Sequence, residues 1–148
     1  MNDYELKQFI ESTLKFFNEL TQKVARCGIP FVKNNEPIVL EYTGIIGISG
    51  KRKGSIYYTA EKDQLAELAK IMLAVDSVSD DDIKDLAGEI ANTISGNLRE
   101  VFGSDFLISV PVIVEGRARD IKLPERIDSY VIPISWENKK SFLVVCLE

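Results

Sequence analysis

The sequence predicts an α+β fold with a largely antiparallel sheet and about three helices. Three observations carry this: an amphipathic opening helix, two helical segments in the middle, and alternating β-rich runs on either side of them. The 148 residues, 45% hydrophobic and 28% charged, suit one compact domain spanning 1–148.

The opening helix follows from Leu6, Phe9, Ile10, Leu14, Phe17, Leu20 and Val24, spaced by three and four, with Gly28 and Pro30 closing the segment. Next, IVLEYTGIIGIS and SIYYTA are rich in β-branched and aromatic residues and flank the turn GKRKG, the pattern of an antiparallel hairpin. Thr59 and Glu61 mark a helix start, and Leu65, Leu68, Ala69 and Met72 give that helix its apolar side. In SVSDDD, Ser79 is placed to cap a further helix whose first turn carries acids, where the helix dipole favours negative charge. After Gly103 come FLISVPVIVEG, the irregular ARDIKLPERI, and a second hairpin, YVIPISW and SFLVVCLE about the turn ENKK. The apolar final strand suits an interior position within one protomer as well as a contact surface.

Composition excludes several functions. Histidine is absent, so no Ser-His-Asp or Cys-His pair and no histidine-ligated metal can form. The net charge of -5 opposes binding to nucleic acid or an anionic membrane surface. Apolar runs such as 44–48 and 142–147 are far shorter than the roughly 20 residues of a membrane-spanning helix. Cys27 and Cys146 lie far apart in apolar surroundings, and no secretory leader opens the sequence, which suits reduced thiols in the cytoplasm.

GIIGISGKRKG only superficially resembles a phosphate-binding loop: five residues rather than four separate Gly44 from Gly50, Arg52 follows Lys51, and a strand comes next. The Lys51, Arg52, Lys53 run reads instead as a solvated hairpin turn that discourages edge pairing. Asp80 to Asp82, and Glu115 with Asp120, lack a calcium-loop spacing and read as capping and surface charge.

The segment DLAGEIANTISGNLRE differs. At about 100° per residue, Ile83, Ala87, Ile90, Ile94, Leu98 and Val101 form a core stripe, and Asp85, Glu89, Asn92, Gly96 and Arg99 gather roughly opposite. Glu89 and Asn92, at i and i+3, can reach the same point in space. Gly88 and Gly96 each cost about 0.8–1 kcal/mol against alanine in an exposed helix interior, an odd choice unless something approaches the backbone closely. A solvated helix face would also carry Glu and Asn, and periodicity alone favours that reading.

Asp85-x-x-x-Glu89-x-x-Asn92, followed by Gly96-x-Leu98 and later Pro111, resembles the signature of the CheC, CheX and FliY family of chemotaxis phosphatases. GIIGISGKRKGSIYYT resembles the hairpin preceding that helix in the CheX-like branch, and the single motif copy points the same way. Eighteen residues, 93 to 110, lie between Asn92 and Pro111, fewer than in the family pattern, which implies a shorter loop around Gly103 to Asp105. The resemblance implies a CheX/CheC-like fold and a phosphatase of a phosphorylated CheY-like response regulator. It implies that Asn92 orients the attacking water, that Glu89 pairs with the regulator's lysine, and that Asp85, Gly88 and Gly96 contact the partner. It also implies no cofactor bound by this chain, with Mg2+ supplied by the regulator, and a homodimer. The alternative is a noncatalytic module that binds a regulator or dimerises; Glu89 and Asn92 together favour the enzyme.

Overall fold

The computed structural model describes residues 1–33, 38–117 and 128–148. Along the chain these form α1 (Asp3–Thr21), β1 (Arg26–Cys27), β2 (Phe31–Lys33), β3 (Tyr42–Gly50), β4 (Gly54–Ala60), α2 (Lys62–Leu73), α3 (Asp80–Phe102), β5 (Phe106–Ile108), β6 (Val112–Glu115), β7 (Ser129–Trp136) and β8 (Lys139–Leu147). The α+β class and its three helices are as expected. Every described strand pairing is antiparallel, and the order across the sheet is β1, β7, β8, β4, β3, β5, with β2 also along β7 and β6 along β3.

Both expected hairpins form. β3 and β4 pair from Tyr42 with Ala60 to Ile48 with Gly54. β7 and β8 pair about Glu137 and Asn138, whose φ angles of 49° and 61° are those of a two-residue turn matched to strand twist. β8 lies between β7 and β4, so the final strand is interior rather than an open edge. The irregular ARDIKLPERI segment and Asp120 fall outside the described residues.

The strand period of two separates two faces. Ile46, Ile56, Tyr58, Ile132, Leu143 and Val145 point to one side and join Phe9, Phe17, Leu65, Leu68, Ile90 and Ile94 from the helices in the main core. Tyr57, Val131 and Val144 form a smaller cluster on the other side. α3 is the central helix: it meets α1 and α2 as well as β3, β4, β5 and β6. It begins as expected, with Ser79 accepting from the Asp82 amide and Asp82 accepting from the Ser79 amide, both at 3.1 Å.

Several expectations are corrected. α1 stops at Thr21, where Gln22 turns left-handed, so Val24 lies outside the helix and is exposed. The early stop frees Arg26–Cys27 and Phe31–Lys33 to pair with β7, two strands that local pattern does not announce. Thr59 belongs to β4, where its hydroxyl meets that of Thr43 at 2.9 Å, and α2 starts only after Glu61. Met72 and Val101 are exposed; the apolar stripe of α3 continues instead to Phe102, whose ring stacks on Phe106.

Arg52 is not a solvated turn residue. Its guanidinium pairs with Glu5, lies 5.8 Å from the Phe102 ring centroid, and donates through Nε to the Glu148 carbonyl at 2.6 Å. Glu5 also completes the α1 capping box with Asn2, so one side chain links the starts of α1 and β4 to the end of α3. Arg52→Ala should cost about 1–2 kcal/mol in urea unfolding, reduced from a fully buried pair by partial exposure. Arg52→Lys should recover little, because lysine lacks the planar fork; a lysine variant as stable as the parent would contradict this assignment.

Candidate active site on the central helix

The depth of α3 is set by glycine. A Cβ on Gly44 of β3 would overlap the Ala87 carbonyl and come within 2.8 Å of the Gly88 Cα, so helix backbone rests on strand backbone there. On the Gly88 side, a Cβ would meet Ile113 at 3.1 Å and Pro111 at 3.4 Å. Gly88 is therefore buried, and its expected place on the partner-facing surface is corrected: the close approach comes from this chain's own β3 and β6 flank. Gly96 behaves oppositely, with nothing within 4 Å of an added Cβ. The fold itself does not require glycine at that position.

Gly88 marks the edge of the buried side of α3, and the side next to it is presented outward. Asp85 and Glu89 are exposed, and Asn92 and Gly96 are half-buried. Among the described residues, no hydrogen bond or ion pair engages the side chains of Asp85, Glu89 or Asn92. Nearby acids are engaged: Asp80 with Lys62 at 2.9 Å and Glu115 with Lys84 at 3.3 Å. Glu89 and Asn92 thus stand one turn apart with their polar atoms free, a carboxylate acceptor beside an amide that both donates and accepts.

The β5–β6 connection borders this helix. The Ser109 hydroxyl accepts from the Gly47 amide at 2.8 Å, in the break between the β3–β5 and β3–β6 ladders. This brings Pro111 over Gly88, one residue from Glu89. The SVP triplet inside an apolar run was the available signal for the break. No described helix is long and apolar enough to cross a membrane. Burial pushes the Cys27 thiol up to about 11 and raises that of Cys146, the reverse of what a thiolate nucleophile needs.

Two alanine variants separate the glycines. Gly44→Ala should lose about 1–3 kcal/mol, because the obstruction is backbone and cannot rotate away. Gly96→Ala should gain up to about 1 kcal/mol, because open space surrounds it and alanine favours helix. Urea unfolding of both checks the assignment, and a Gly44→Ala protein as stable as the parent would refute the backbone contact.

Comparison with known proteins gives a consistent result. The family model described as chemotaxis phosphatase CheX matches residues 42–135. No curated protein matches. Among solved structures, a chemotaxis protein from Desulfovibrio vulgaris Hildenborough is 30% identical, with 98% of this chain and 97% of that chain covered and a TM-score of 0.85. CheX from Desulfovibrio desulfuricans is 27% identical, with 98% and 99% coverage and a TM-score of 0.86. The CheX of a CheX–CheY–BeF3–Mg complex from Borrelia burgdorferi is 16% identical, with 97% of each chain covered and a TM-score of 0.79, and shares the fold. With the family model spanning residues 42–135, more than half of the chain, this protein belongs to the CheX family of chemotaxis phosphatases.

Proposed function

We propose that this chain hydrolyses the aspartyl phosphate of a CheY-like response regulator, using the outward face of α3. The observation that carries the reading is the free Glu89 and Asn92 pair, one turn apart on a helix whose other faces are packed. Gly96 supports it, because its cost to the helix has no internal compensation and an approaching partner would supply one. The Borrelia relative crystallised with CheY supports the partner class.

In the reaction, water attacks phosphorus in line, the bond from phosphorus to the aspartyl oxygen breaks, and phosphate and a free aspartate carboxylate are released. Such a step is accelerated mainly by positioning and charge stabilisation. The Asn92 amide accepts from and orients the water without changing its own charge. Glu89 pairs with the regulator's active-site lysine and sets the helix in register, and Asp85 supports that contact one turn earlier. Among the described residues, no group of three or more acidic or thiol side chains is arranged to hold a metal ion, and in this reading Mg2+ belongs to the regulator's site. The same reading includes a cytoplasmic homodimer. With β8 paired on both sides, a sheet contact between copies would run along the β1–β2 or β5–β6 edge.

Asn92→Ala should lower turnover of the phosphorylated regulator about 100-fold or more while changing stability by less than about 0.5 kcal/mol. A fully active Asn92→Ala protein would refute the mechanism. Glu89→Ala should lose both turnover and affinity for a beryllofluoride-loaded regulator, measured by calorimetry. Unchanged affinity would remove the assigned contact.

A further inference from the structure

A second feature lies beside Glu89. Between the end of α2 and the first half of α3 is an open cavity of about 240 Å³, with Met72, Leu73 and Leu86 among its apolar walls and Asp82, Asp85 and Glu89 at its rim. Met72 and Leu73 are 39% and 49% exposed, and Ile71 and Val75 beside them are exposed too. A helix end that leaves this much apolar surface uncovered suits an interaction site.

The rim carries three carboxylates without a cationic partner among the described residues. Lysines in the same region are taken: Lys62 by Asp80, Lys70 by Glu67 and Lys84 by Glu115. The cavity therefore matches an apolar side chain flanked by lysine or arginine. A second copy of this chain, with net charge -5, would bring further negative charge to an already acidic surface.

We propose that this cavity is a second docking point for the response regulator, receiving an apolar side chain of a regulator surface loop or helix whose flanking basic groups meet Asp85 and Asp82. The proposal rests on the α3 reading above: Glu89 is both a wall of the cavity and a member of the candidate site, so a partner centred on Asn92 covers both. The docking point sets affinity and choice among regulators, and Asn92 sets the rate of hydrolysis.

The test measures affinity for a beryllofluoride-loaded CheY-like regulator by calorimetry, using the parent, a Met72→Ala/Leu73→Ala double variant, Asp85→Lys and Asn92→Ala. The double variant should bind about tenfold more weakly, as expected for truncating an apolar anchor. Asp85→Lys should weaken binding and flatten its dependence on salt. Asn92→Ala should bind nearly as the parent does. Parent-like affinity in the double variant overturns the docking point, as does a shift in self-association with no change in regulator affinity. Turnover separates the two readings: if Asn92→Ala hydrolyses normally while the double variant binds weakly, the catalytic assignment fails and the docking point stands.

Discussion

The close approach of α3 to β3 at Gly44 and Gly88 is the constraint on which the arrangement depends. Glycine at position 44 lets the helix backbone at Ala87 and Gly88 lie on strand backbone, a separation that a methyl group there would prevent. Pro111 and Ile113 then close over the same turn from the neighbouring edge. The helix is held at its middle, one residue before Glu89, by contacts with little freedom to adjust. The positions that follow, Glu89, Asn92 and Gly96, inherit their direction from that contact.

The rest of the fold is organised around the same helix. Its apolar stripe, from Ile83 to Leu98 and on to Phe102, enters the main core, and α1 and α2 flank it. Arg52 ties the C-terminal turn of α3 to the start of α1 through Phe102 and Glu5. The Ser79 and Asp82 box fixes the other end. A helix secured at both ends and in the middle can present polar side chains with little reorganisation, which is what a reaction accelerated by positioning requires. Because Asp85, Glu89 and Asn92 take no part in that scaffolding, they can be replaced without unfolding the protein, and their effects read out as function.

Much of this was legible in the sequence. The two hairpins, the Ser79 start and the buried stripe of α3 are local patterns, and periodicity with turn and capping chemistry reveals such patterns directly. So was the outward grouping of Asp85, Glu89 and Asn92. The parts that were not legible depend on contacts distant in sequence. Gly88 and Gly96 are equivalent as letters in a helix; only Ile113 and Pro111, distant in sequence, close over one, while the other is left open. Arg52 reads as turn charge until Glu5, Phe102 and the Glu148 carbonyl converge on it. β1 and β2 are too short to have a period, and they exist because β7 offers them an edge. Met72 has the phase of a core residue, but the α2–α3 cavity begins where it lies.

The measurement that bears most directly on this account is the mapping of the regulator's footprint by amide chemical-shift perturbation, with beryllofluoride-loaded CheY-like regulator titrated into the isotope-labelled protein. The largest changes should fall along the outward face of α3, at Asp85, Glu89, Asn92 and Gly96, with the buried Ile90 and Ile94 amides changing less. A footprint on the β1–β2 edge, with α3 unperturbed, would contradict it.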